Sequence, residues 1–213
     1  MASLLVPKAN SPLRTASNVE FLRAMRLAVV HRRHDISGSI QTKWLTRILW
    51  HELSPMPAIL FADRHEFRGL LSHAYYTHMV ELGDRLDRGI YSDESSPLNR
   101  RQKTHLLAGH HSISTYWKHL RVTPPSFPKG PRCKLHKQCT AAWTMRWSVA
   151  CSRPCSIAGT DVLRRLRLVE DTLRVDTLLQ VCLAPECLVS ALNSISQKRM
   201  EISNGLHHHF DLP

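Results

Sequence analysis

GPRCKLHKQCTAAWTMRW, residues 130–147, is the stretch on which the reading of this chain turns. Cys133 and Cys139 are separated by five residues among lysines and a histidine, and Trp143 and Trp147 follow, one helical turn apart. Such a stretch can be half of a metal site, a nucleic-acid-binding turn or the start of a basic helix. Just upstream, VTPPSFPKGPR (122–132) holds four prolines and a glycine in eleven residues, the clearest linker signal in the chain.

Outward from there, apolar residues recur at helical spacing. Phe21, Leu22, Met25, Ala28 and Val29 form one stripe, with Ser17 or Asn18 placed as its cap. Ile40, Trp44, Leu45, Ile48 and Leu49 form a second, expected to begin after a break at Ser37-Gly38 and to stop at Pro55 and Pro57. Residues 58–82 read as helix, broken near Gly69. Ser95-Ser96-Pro97 resembles a helix start, ahead of the stripe Leu106, Leu107, Ile113, Tyr116, Trp117 and Leu120. Beyond the prolines come a helix through Trp143 and Trp147, one from Asp161 to about Leu173, and a last one from near Ala184. No period-two alternation persists. The expected fold is all-α, an irregular bundle of six to eight helices. The expected organisation is a frayed tail over 1–17 and a helical domain over 18–213, with sub-parts 18–121 and 133–213 joined by the linker near 122–132.

Composition supports a folded chain, with 43% apolar and 22% charged residues in 213. Only eight glycines are present, which disfavours Gly-rich phosphate loops, and no apolar run is long enough to span a membrane. The first acidic residue is Glu20, and the apolar stretch Ala2–Val6 is too short for a secretory signal, so a frayed tail fits better than a targeting peptide. An intracellular location, cytoplasmic or nuclear, is expected. In such a reducing compartment the six cysteines are free thiols or metal ligands.

Net charge is +12 and unevenly spread. No acidic residue occurs between Glu94 and Asp161, while that segment carries eleven Lys and Arg of the chain's 29. The remaining 18 nearly balance 17 acids, so almost the whole excess sits in the centre. Nucleic-acid binding through residues 95–160 is therefore the alternative function, weighed against a solvated basic face. The tryptophans match the spacing of core residues better than that of a base-stacking surface.

No catalytic residue is predicted. His51-Glu52 and His65-Glu66 lack the second histidine of a zinc-protease helix, and no nucleophile elbow or dinucleotide fingerprint is present. The cysteines carry more chemistry, as Cys133-x5-Cys139, Cys151-x3-Cys155 and Cys182-x4-Cys187. Two such pairs can supply the four ligands of a structural zinc, with His136 as a substitute ligand. Packing as small apolar side chains is the other reading.

The segments LLAGHHSISTYW (106–117), PPSFPKGPRCKLHKQCTAAW (124–143), DVLRRLRLVEDTL (161–173), CLAPEC (182–187) and FDLP (210–213) carry a resemblance, with LRAMRLAVVHRRHDI (22–36) extending it. Together they resemble the region that follows the BTB (POZ) fold in fungal BTB-domain proteins. Those proteins have a long helix, a proline-containing linker, a cysteine pair before an Ala-Trp helix, a second pair opening the final helix, and a Phe-x-Leu-Pro tail. The mixed BTB unit itself has no counterpart here, which weakens the expectation of dimerisation and of ubiquitin-ligase recruitment. The resemblance implies a non-enzymatic protein-interaction scaffold, with Cys133, Cys139, Cys182 and Cys187 as a structural zinc set and a protein partner or self-association. The second pair is spaced wider than in those proteins, and Cys151 and Cys155 have no counterpart.

Overall fold

The structure, a computed structural model, describes residues 15–88 and 97–212. Most of the predicted tail, and Ser95-Ser96, lie outside the described residues. Among the described residues the fold is all-helical without strands, and eight helices are seven residues or longer. The chain divides into two compact units, Met1–His78 and Met79–Pro213.

The first unit contains α1 (Asn18–Val30), α2 (His34–Leu49), α3 (Met56–Arg64) and the start of α4 (Arg68–Leu82). Ser17 caps α1 in a capping box, its hydroxyl accepting from the Glu20 amide while the Glu20 carboxylate accepts from the Ser17 amide at 2.6 Å. The Phe21 ring stacks on Trp44 at 5.7 Å, and Trp44 meets Phe61 at 6.3 Å. The Trp44 indole donates to Asn18 Oδ1 at 2.7 Å, so the one polar atom of this buried ring is satisfied.

Two predicted breaks move. α2 starts at His34, four residues ahead of Gly38, because the chain turns at Arg32, whose φ is +52°, and the Ser37 amide already donates to Arg33 O at 2.9 Å. The break between α3 and α4 lies at Glu66, φ +57°, where the Phe67 amide closes on Ala62 O at 3.0 Å. Gly69 sits in the first turn of α4.

The second unit contains α5 (Asp84–Asp87), α6 (Arg100–Val122), α7 (His136–Ser152), α8 (Val162–Arg174), α9 (Thr177–Cys182), α10 (Pro185–Asn204) and α11 (Leu206–His209). Asn99 rather than Pro97 starts α6, because its side chain and that of Gln102 bond each other's amides at 2.9 and 3.0 Å. Asp161 caps α8 as expected, accepting from the Arg164 amide.

The proline-rich segment joins no sub-parts; it is a strap inside the second unit. The Trp143 indole donates to Pro125 O at 3.0 Å and the Trp147 indole to Leu120 O at 2.8 Å, while buried Phe127 meets Trp143 edge-on at 6.0 Å. Proline removes backbone donors and forbids helix, so side chains of α7 satisfy the carbonyls that regular structure leaves unpaired. The split between the two compact units falls after His78, with residues 122–132 inside the second.

Polar groups fasten the remaining helices. Arg146 on α7 pairs with Asp176 at the cap of α9, its Nε donating at 2.8 Å. Burial opposes the charge of Asp176, but the Leu179 amide and the Arg146 guanidinium outweigh it and hold the carboxyl below the ordinary range. Buried Glu170 on α8 receives Arg199 and Ser196 of α10, each at 3.2 Å. At the C-terminus Phe210 is fully buried over Gly109 of α6, where a Cβ would stand 2.0 Å from the ring. The His105 ring donates to Phe210 O at 2.9 Å.

Candidate metal centre

Strap, α7 and α10 bring their polar and sulfur groups together at the start of the two helices. A turn from Gly130 to Cys133, closed by the Cys133 amide donating to Gly130 O at 3.0 Å, delivers the first thiol. His136 is the first residue of α7 and Cys139 lies one turn further, so both fall on the same side of the helix. Pro185 opens α10 and places Cys187 in its first turn.

The strap lies close against α10. A Cβ on Gly130 would stand 2.7 Å from Glu186 Cβ, so a larger residue is excluded, and the Gly130 amide donates to Cys187 Sγ at 3.4 Å. Next along, the Arg132 amide donates to Glu186 Oε2 at 2.9 Å and its guanidinium to Oε1 at 2.5 Å. Those two donors, the amide first, hold the Glu186 carboxyl below its ordinary range.

The ligand atoms of Cys133, His136 and Cys187 lie within 4.8 Å of one another, the one such group among the described residues. These three residues could hold a metal ion. His136 Nδ1 is 3.7 Å from Cys187 Sγ, and Cys139 Sγ is 3.7 Å from Cys133 Sγ. Phe127 meets the His136 ring edge-on at 5.3 Å and limits its rotation. The thiols are enclosed, with Cys133 and Cys139 4% exposed and Cys187 fully buried, while His136 is half-buried. Burial, then the neighbouring Cys187 and Cys139, pushes the Cys133 thiol up to about 11. Without a cation nearby this thiol stays protonated, and a bound metal would remove that proton.

No family model, characterised protein or solved structure matches the chain.

Of the four cysteines predicted to act together, Cys133, Cys139 and Cys187 meet and Cys182 does not. Cys182 ends α9 with its side chain exposed, while buried Leu183 and the start of α10 intervene before Cys187. His136, named at first only as a substitute, is a full member. Its signal in the sequence is position: it stands three residues from each cysteine in CKLHKQC. Cys151 is buried elsewhere on α7, where burial pushes its thiol up to about 12, and Cys155 is exposed. Of the C-terminal histidines, His209 shares a hydrogen bond of 2.9 Å with Ser112 of α6.

The three tryptophans of the basic region, Trp117, Trp143 and Trp147, are buried, as their spacing predicts. None offers a ring for base stacking. Among the described residues no helix is long and apolar enough to cross a membrane.

Proposed function

We propose that this chain is a non-enzymatic, all-helical protein-interaction scaffold whose second unit is held together by a structural zinc ion. The observation that carries the reading is the meeting of two buried thiols and a half-buried imidazole where the strap, α7 and α10 join. Soft sulfur and imidazole donors suit zinc. Structural sites are closed, whereas catalytic ones keep a position open to solvent. An ion here ties together segments that share little backbone bonding, which is a stabilising task.

The interaction role is supported by apolar side chains left in solvent at the α8–α9 corner: Val175 is 73%, Leu178 57% and Val181 84% exposed. The resemblance to the post-BTB region of fungal proteins belongs to the same proposal. Free thiols fit an intracellular setting, cytoplasmic or nuclear.

Zinc-loaded chain in analytical ultracentrifugation, with crosslinking mass spectrometry beside it, tests the role. Expected is self-association, or a protein partner crosslinked at α9, that Leu178→Glu and Val181→Glu abolish while helical circular dichroism is unchanged. A chain that stays monomeric at high concentration and gains no variant-sensitive crosslink sinks the scaffold reading.

One observation favours a second reading, phosphate binding by the basic segment. Lys129, Lys134 and Lys137 are exposed around the strap and the start of α7, with no acid nearer in sequence than Glu94 and Asp161. DNA titrated at two salt concentrations decides it: phosphate-driven binding weakens steeply as salt rises, and no binding at low salt ends the idea.

A further inference from the structure

We propose that the metal centre is a closed, four-coordinate site with three sulfurs and one nitrogen, in which Cys139 is the fourth ligand beside Cys133, His136 and Cys187. This deepens the zinc reading and rests on it. It also removes Cys182 from the set.

The distances support the assignment. Zinc bound tetrahedrally, about 2.3 Å from sulfur and 2.0–2.1 Å from nitrogen, sets two sulfurs about 3.8 Å apart and a sulfur and a nitrogen about 3.6 Å apart. Cys133 Sγ and Cys139 Sγ are 3.7 Å apart, and Cys187 Sγ and His136 Nδ1 are also 3.7 Å apart. These two pairs share no atom, so an ion held between them would make them opposite edges of one tetrahedron, and both already have the length that such an ion would impose. The edges joining Cys133 to His136 and to Cys187 are within 4.8 Å. Cys139 Sγ lies outside that 4.8 Å group, so its side chain must swing inward from Cys133 toward His136 and Cys187 to complete the shell.

The chain explains why this set can close. Cys-x2-His-x2-Cys puts one ligand on the turn before α7, one at its first position and one a turn along. Cys187 comes from the first turn of a second helix, α10. Both helices present the positive end of their dipoles to a site that must hold three thiolates around a dication. The Gly130 amide donates to Cys187 Sγ, a bond that strengthens when the sulfur is a thiolate. A water ligand is not needed, because the buried sulfur of Cys139 fills the place that an open site would leave. Cys182 ends α9 with its side chain exposed and outside the converging group.

The test uses the full chain, purified with zinc. Zinc content by mass spectrometry should give one ion per chain, and zinc X-ray absorption on the wild-type protein should fit three sulfurs and one nitrogen. Cys182→Ser should retain zinc against a competing chelator as the wild type does, while Cys139→Ser should weaken retention on the order of a hundredfold. If Cys139→Ser does not fold, alkylation of the wild type replaces it: zinc should shield Cys133, Cys139 and Cys187 and leave Cys182 reactive. No bound zinc overturns the zinc reading together with this one. Bound zinc with two sulfurs, or zinc lost from Cys182→Ser and kept by Cys139→Ser, overturns only the assignment of Cys139.

Discussion

Met1–His78 and Met79–Pro213 are built from the same kind of amphipathic helix, yet they hold those helices by different means. In the first unit the aromatic chain Phe21, Trp44 and Phe61 runs through the apolar core, and short turns at Arg32 and Glu66 leave little irregular backbone to satisfy. The second unit has a proline strap with few backbone donors, and around it gather indole-to-carbonyl bonds, a largely buried ion pair and a carboxylate shared between α8 and α10. All six cysteines also lie in the second unit. The difference teaches that regular helices joined by tight turns need few polar fastenings beyond their caps and an indole bond. A long irregular connection needs specific partners for its polar groups.

Removing the ion should separate the units most sharply. A chelator is expected to cost the second unit up to on the order of 10 kcal/mol, the scale of structural zinc binding. Hydrogen exchange would then lose protection in α7 and α10 and keep it in α1 and α2. Equal loss in both units would break the comparison.

Core truncation comes next. Trp44→Ala in the first unit should cost about 3–5 kcal/mol. Trp147→Ala should cost more, by about 1–3 kcal/mol, because it strands the buried backbone carbonyl of Leu120, whereas the part-buried Asn18 side chain that Trp44 bonds can turn to water. Denaturant melts of the two variants measure the gap, and identical costs would mean that the buried indole-to-carbonyl bond adds nothing beyond the part-buried one.

The Arg146–Asp176 pair should contribute less than either ring. Asp176→Asn leaves the guanidinium, which is 16% exposed, without its charge partner, and about 3 kcal/mol is expected. The sign of the pH effect follows from the lowered carboxyl. Its contribution is complete well above the ordinary unfolded value of about 3.9 and is lost as pH falls through the folded value. Acid melts should therefore be less steep in the variant than in the wild type. The smallest effect is expected in the first unit, where Ser17→Ala removes the α1 cap at about 1 kcal/mol and leaves the second unit's exchange unchanged.

Much of this architecture is legible in the residues, and the gaps have physical causes. The stripes on α1, α7 and α8 and the caps Ser17 and Asp161 follow from spacing and side-chain chemistry, which act within a few residues. Asn99 supersedes Pro97 because two amides reciprocally bonded outweigh a ring that merely fits the first turn. The strap reads as a linker because proline marks broken helix equally well in a loose connection and a packed one. Only Trp143, Trp147 and Phe127 closing over it distinguish the two. Gly109 carries no turn signal at all, since its use is to admit the ring of Phe210.

By itself the sequence determined the helices, their apolar faces, the acid-free centre and the presence of thiols in closely spaced pairs, all properties of local order and composition. Tertiary structure alone decided which thiols meet. Cys187 and His136 are 51 positions apart, and Cys182, only five before Cys187, points away because it ends one helix while Cys187 begins the next. Ligand sets are chosen by where side chains converge in space, and pairing by proximity along the chain cannot register that choice when a helix boundary falls between the two cysteines.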